Sequence, residues 1–256
     1  MTALAELIAL PETPLWVAPL LCALGVLTAA LTTALGAGGG LLLLGAMTLF
    51  LPVGVTIPVH GAIQAGANGS RFLLLWRHAR ASLLLAFSIG SLLGAAAGSQ
   101  VLIRLPEAWL ELLLGGFILW LVWLPLPHGG ARSGPAVAGL GAVTTALTLF
   151  VGATGPLVSA YLRALRPGRL AYAGTFAACM LLQHGLKIGV FVLAGFAFAP
   201  YLPFLAAMLA CAFLGNWLGR ALLVRLDDAR FQRLLAAVLT LLAIRLLYSG
   251  LTGLGG

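Results

Sequence analysis

Long unbroken apolar runs, not alternation, set the pattern of this chain. The stretches 14–35 and 170–194 hold one charged residue between them, Lys187. Each has the roughly 20 residues that a helix rising about 1.5 Å per residue needs to cross a bilayer core. Similar runs recur along the chain and predict ten helical segments: about 15–35, 41–51, 56–76, 81–103, 108–125, 136–151, 156–166, 170–195, 203–222 and 231–250. Those at 41–51 and 156–166 are short. An outer-membrane barrel would alternate apolar and polar residues over strands of about ten, and these Leu/Ala/Val runs do not. The expected fold is an all-α integral membrane protein, a polytopic helical bundle of about eight full spans plus two short or broken helices.

The most polar, Pro/Gly-rich stretch is 125–135, which divides the chain into halves of similar size. The halves read as homologous repeats. Gly36-Ala37-Gly38-Gly39-Gly40 finds a counterpart in Gly152-Ala153-Thr154-Gly155-Pro156 at an offset of 116, where Asn68 also falls on His184 and Arg71 on Lys187. At an offset of 121, Gly94-x3-Gly98-x5-Arg104-Leu105 reads again as Gly215-x3-Gly219-x5-Arg225-Leu226. The expected organisation is a first transmembrane repeat over 1–125, a linker over 126–135 and a second repeat over 136–256.

Composition changes the picture little: 62% of the residues are hydrophobic and 8% charged, against about 25% charged in soluble domains. Charge placement adds orientation. The net charge of +8 comes largely from Arg residues in or beside short gaps, at Arg77 and Arg80, at Arg163, Arg166 and Arg169, and at Arg220, Arg225, Arg230 and Arg233. Basic residues accumulate in cytoplasmic loops, so this distribution reads as a topology signal and nucleic-acid binding is not expected. With the basic gaps inside, both termini lie on the periplasmic side of a bacterial inner membrane, and five segments per half make the second repeat inverted. A parallel pair would instead require an even number of spans per half, as when each short segment fails to cross. The first segment lacks the basic leader of a cleavable signal and is expected to be retained. Cys22, Cys179 and Cys211 lie singly in apolar runs and read as packing residues; no metal or cofactor is expected.

Candidate chemistry lies where the two halves break. A helix start presents unpaired N–H groups and the positive end of a dipole, and Gly lets a ligand approach that backbone. The starts after Gly38, Gly39 and Gly40 and at Thr154 and Gly155 are therefore candidate substrate sites, with tight turns or crossings as the alternative. His60, Gln64 and Asn68 stack at four-residue spacing on one helix face, either lining a path or bonding to neighbouring helices. Lys187 lies deep in its segment, beside Gln183 and His184, where an ionisable group marks a pathway unless it snorkels to the headgroups. Arg71 divides evenly between those two readings. Glu6, Glu12, Glu107, Glu111, Asp227 and Asp228 all sit at or near segment ends, and a site without carboxylates favours an anion. The Gly-x3-Gly spacings read as helix packing.

The run Gly36–Gly40, the later Val151-Gly152-Ala153-Thr154-Gly155-Pro156, Gly174-Thr175 after Arg169-Leu170, and the paired Gly-x3-Gly with Arg-Leu together resemble the sulfite exporter TauE/SafE family, also called the toluene sulfonate uptake permeases. The resemblance covers nearly the whole chain. It implies two homologous halves, usually counted as about eight spans, that move sulfite or organosulfur anions across the bacterial inner membrane. It also implies a substrate-contact role for Gly152, Thr154, Gly155 and Pro156, with Gly36–Gly40 in the corresponding role of the first half.

The expected function is a secondary transporter of small anions, of sulfite or organosulfonate type, working by alternating access. Donors are the backbone of Gly39, Gly40, Gly155 and Leu157, the side chains of Thr154, Asn68 and Gln64, and charge from Lys187 and Arg71. His184, an imidazole able to titrate near neutral pH, is the candidate carrier of proton coupling. The alternatives are an anion channel or a non-transporting membrane assembly factor. An intramembrane protease is weaker still, because Ser70, Ser88, Ser91, Ser99 and Ser159 form no nucleophile motif with a His. The expected partners are a small anionic substrate and the lipid bilayer, with a homo-oligomer left open.

Overall fold

The computed structural model of the chain describes residues 2–35, 38–102, 105–124, 133–166, 168–222 and 228–255, without side chains at 2, 4, 34 and 35 and over 220–232. Gly36 and Ala37, Arg104, Arg225, Asp227 and most of the 126–135 linker lie outside the described residues. Among the described residues there are eleven α-helices and no strand: α1 (Thr2–Leu7), α2 (Val17–Leu35), α3 (Gly39–Met47), α4 (Val53–Leu75), α5 (Ala81–Leu102), α6 (Glu107–Trp123), α7 (Gly134–Val151), α8 (Gly155–Ala164), α9 (Arg169–Leu193), α10 (Leu202–Leu222) and α11 (Asp228–Leu254). All ten expected segments are helices. The short α1 is additional.

By length and composition, five helical stretches suit a membrane crossing: Ala81–Leu102, Gly134–Val151, Arg169–Leu193, Ala199–Gly219 and Arg233–Leu254. α4 is absent from that set although it has 23 residues, since His60, Gln64, Asn68 and Arg71 lower its hydropathy. The outer surface is itself apolar, with Leu85, Leu93, Phe213, Trp217 and Leu241 exposed. In water this surface would be costly, and against lipid it is not. The chain is a multi-pass membrane protein.

Four helix pairs make the most extensive contacts: α5 with α7, α2 with α10, α4 with α9, and α6 with α11. The first two run parallel and are built alike. A side chain on Gly94 or Gly98 of α5 would meet Ala142 or Ala146 of α7, and one on Gly215 or Gly219 of α10 would meet Val26 or Ala30 of α2. Offsets of 121 for α5 to α10 and 116 for α2 to α7 convert one set of contacts into the other. The remaining two pairs are antiparallel. Gly61 of α4 lies against Lys187 of α9, Gly69 against Leu181, and Gly174 against Leu75. In the other pair, Gly115 packs on Ala243, and Ser249 donates to Glu111 at 2.9 Å.

The two short helices turn back rather than cross. Gly39 opens α3 against the Thr28 carbonyl in mid-α2, and α3 returns until the Phe50 and Trp16 rings meet with centroids 5.4 Å apart. In the second half Thr154, capping α8, donates to the Thr144 carbonyl in mid-α7 at 3.1 Å, and Leu162 and Leu165 return to the level of Val137. Backbone geometry helps break both hairpins: Gly38 has φ +105° and Gly152 φ +71°, a region favourable to glycine alone.

These contacts also sort the ends. The ends of α4 and α8 and the start of α9 carry Arg77, Arg80, Arg163, Arg166 and Arg169, and they share one end of the bundle, where Arg80 N–H donates to Thr175 at 3.0 Å. Opposite lie the starts of α2, α4 and α6 and the end of α11, tied by a Val53 N–H donating to Glu107 at 2.7 Å and by the Ser249–Glu111 bond.

Candidate functional site

The tips of the two hairpins face one cavity. Its lining is Thr32, Gly38, Gly40, Leu41, Ala153, Gly155 and Pro156 from the hairpins, His60, Gln64 and Asn68 from α4, and Phe176, Met180 and His184 from α9. The three α4 residues and the three α9 residues are counterparts at the offset of 116. The cavity therefore lies where the two halves face each other. One half supplies a polar row, and the other two apolar residues and a histidine.

The polar groups here are buried and incompletely satisfied. His60 is 0% exposed and His184 4%, with ring centroids 6.2 Å apart in an edge-to-face arrangement. His60 Nε2–H donates to the Gly40 carbonyl at 2.8 Å, and the Gln64 amide lies 3.2 Å from the same nitrogen. The Nδ1 atoms of both His60 and His184 are buried without a hydrogen-bond partner. Buried polar atoms are nearly always bonded, so two such nitrogens at one cavity mark a place for a ligand or water. Neither α3 nor α8 has a side-chain cap at its start. Among the described residues no three potential metal ligands gather, and the cavity contributes only its two histidines.

Of the residues singled out in the sequence, Gly38, Gly40, Gln64, Asn68, Gly155 and His184 line this cavity. Gly39 is packed behind it on Thr28 and Thr32. The Thr154 hydroxyl is spent on the Thr144 carbonyl and on Gln183 Oε1, the latter at 2.9 Å. Leu157 N–H is likewise committed, to the Thr154 carbonyl at 3.0 Å. Lys187 is 0% exposed, and its ammonium donates to the Gly152 carbonyl at 2.7 Å, closing the end of α7. Its charge lies one helical turn beyond His184 and against Gly61, next to His60. Arg245 of α11 closes α3 in a similar way by donating to the Thr48 carbonyl at 2.7 Å.

Arg71 lines a neighbouring cavity with Thr28, Thr32, Gly40, Gln64, Ala67, Met208 and Asn216. Its guanidinium donates to the side-chain oxygens of Asn68 and Asn216 at 3.3 and 3.2 Å. Both partners are neutral, so the cation retains its charge and further donors. Gln64, Gly40 and Thr32 border both cavities.

Thr32, Phe176 and Met180 were not anticipated at the cavity, nor Gln183 as a hub bonding Thr154, Thr144 and Thr145. A signal for the threonines is present. Gly25, Thr28, Thr32 and Gly36 recur as Gly141, Thr144, Thr148 and Gly152 at the offset of 116, and the spacing of Gly25, Thr28 and Thr32, as of Gly141, Thr144 and Thr148, puts them on one face of the long helix of a hairpin.

No curated protein and no solved structure matches the chain. The family model for sulfite exporter TauE/SafE matches residues 21–246, a span that holds every residue of both cavities, and the chain belongs to that family.

Proposed function

We propose that this protein is a secondary transporter of a small oxyanion, of sulfite or sulfonate type, that binds between the two hairpin tips and reaches alternate sides of a bacterial inner membrane. The observation that carries the reading is the central cavity itself. Two glycine-rich helix starts and the side chains of His60, His184, Gln64 and Asn68 converge there, each imidazole with a partner-free Nδ1, with the Lys187 ammonium behind and no carboxylate among the described lining residues. Positive helix ends and N–H donors favour an anion. The volume is about 40 Å³, and a water needs roughly 10–15 Å³ of such space. A cluster of a few waters or an oxyanion of similar size fits, whereas an aryl group requires the site to widen. Membership of a sulfite exporter family supports the same substrate class.

The reading includes two inverted repeats, 1–125 and 136–256. Antiparallel pairing of the counterparts α4 and α9 supports inversion, as does the conversion of the α5–α7 interface into the α2–α10 interface. Each hairpin returns to the end where it began, so three crossings remain per half, an odd number that inverts the second half. The basic end is cytoplasmic by the charge rule, which puts the start of α2 and the end of α11 in the periplasm.

Thermal unfolding of the purified protein with sulfite, sulfate, sulfoacetate and chloride tests the site, because a ligand that binds the folded state raises the melting temperature by mass action. A sulfur oxyanion should stabilise the parent, and the shift should vanish in Asn68→Ala and His60→Ala. Absence of any anion-dependent shift, or equal shifts in all three proteins, overturns the reading.

A further inference from the structure

The two halves bury counterpart residues to different extents. In the first half Thr28, Thr32, Gln64, Ala67 and Arg71 line the Arg71 cavity, and Thr32, Gln64 and Arg71 are all partly exposed. At the offset of 116 their counterparts are Thr144, Thr148, Met180, Gln183 and Lys187, and every one is buried, Thr148, Gln183 and Lys187 at 0% exposure. Ser91, the counterpart of the cavity-lining Ala212 at the offset of 121, is also at 0%. This second set is too polar for a packed helix interface. It contains an ammonium whose partner is a single carbonyl, an amide, two threonine hydroxyls and one serine hydroxyl, and the hydroxyls of Ser91 and Thr148 have no hydrogen-bond partner at all. Unpaired buried hydroxyls are rare because each forfeits its bonds to water.

We propose that Ser91, Thr144, Thr148, Gln183 and Lys187 form a second anion compartment, closed in this conformation, which opens toward the end opposite Arg77 and Arg80 when the Arg71 cavity closes. The inference rests on the alternating-access reading above. The compartment takes the same small oxyanion as the central site: Lys187 supplies the charge that Arg71 supplies in the open cavity, and the hydroxyls and Gln183 supply donors. Opening would separate α7 from α9, exchange the Gln183–Thr144 and Gln183–Thr145 bonds for bonds to water or anion, and hydrate Ser91 and Thr148. The central cavity then communicates with one compartment at a time, through Gln64 on one side and its counterpart Met180 on the other.

Accessibility of single cysteines to a membrane-impermeant thiol reagent tests this in full-length protein in vesicles, with Cys22, Cys179 and Cys211 replaced by Ala. His78→Cys and Ala199→Cys, exposed at opposite ends of the bundle, calibrate the two faces. Thr32→Cys should react from the His78 face. Thr148→Cys and Ser91→Cys should react from the Ala199 face, and each at least threefold more slowly when an added oxyanion or a shifted gradient speeds Thr32→Cys. No labelling of Thr148→Cys and Ser91→Cys, or labelling from the His78 face, overturns the compartment. Sulfite flux measured in the same vesicles separates the two ideas. Flux with silent second-half cysteines removes the compartment and leaves the transporter. Labelling from the Ala199 face without flux of any tested oxyanion keeps the compartment and removes the sulfite reading.

Discussion

The first-half hairpin and the second-half hairpin share a plan, yet they solve the same local problem differently. In α2–α3 the tip is closed by backbone contact, with Gly39 seated on the Thr28 carbonyl. In α7–α8 the tip is closed by side chains: Thr154 bonds back to Thr144, Gln183 bonds to three threonines, and Lys187 caps Gly152. One half therefore spends few polar side chains on closing its hairpin, and its Gln64, Asn68 and Arg71, though bonded to one another's helix and to Asn216, still line cavities. The other consumes its polar side chains internally. On the proposed repeat reading the two hairpins are copies of one frame, and the polar residues placed on each decide which copy is open.

The largest effect expected from this difference is at the tips. Adding a methyl group at Gly39 drives it into the Thr28 backbone, which cannot give, whereas at the counterpart Gly155 the nearest atoms are the Met180 sulfur and the Phe176 ring, both at 3.7 Å. Gly39→Ala should lower the thermal midpoint sharply, an overpacking cost of about 1–3 kcal/mol, while Gly155→Ala folds like the parent and loses the oxyanion-dependent shift instead. Equal midpoints for the two variants would mean that the first tip is not held by backbone contact.

A smaller effect separates the two cations. Arg71→Met leaves two amide oxygens in a partly exposed cavity and should change the midpoint little, since substitutions away from buried networks fall within about 0.5 kcal/mol. Lys187→Met removes a fully buried ammonium, a change that is often neutral or stabilising when an apolar side chain of similar length fills the space. Both should reduce oxyanion flux by about tenfold, equivalent to 1.4 kcal/mol, but only Lys187→Met should also suppress labelling of Thr148→Cys from the Ala199 face. Reduced flux in Arg71→Met alone would confine the anion path to the first half and break the comparison.

Most of the helical frame was legible because its cause is local. Apolar length and proline and glycine punctuation define α2 to α11, and the offset between the glycine-rich breaks locates the hairpin tips. Asn68, Gln64 and His184 were legible at the site because polar residues at helical spacing in an apolar segment have few other uses. Thr154 and Lys187 were harder. Whether a hydroxyl or ammonium faces a cavity or a carbonyl is decided by which helix packs beside it, and Gln183 and Gly152 reach them only in the folded chain. Phe176 and Met180 carry no polar signal, and they emerge only as counterparts of His60 and Gln64 on the antiparallel partner.

The smallest expected effect concerns the polar counterparts that both line the central cavity, Asn68 and His184. An anion needs donors, and a neutral imidazole offers its free nitrogen as an acceptor, so binding beside His60 and His184 is favoured when a proton arrives with the anion. Affinity in the parent should then tighten as pH falls. Asn68 cannot titrate, and an amide at 184 makes the second half resemble the first. His184→Gln should therefore keep measurable flux while its pH dependence flattens, with the residual slope coming from His60, 6.2 Å away by ring centroid. Flux measured from pH 5.5 to 8 on parent, His184→Gln and His60→Gln resolves the contributions. An unchanged profile in His184→Gln would assign any proton requirement to His60 or to the substrate itself, and would leave His184 as a positioning residue between Lys187 and the cavity.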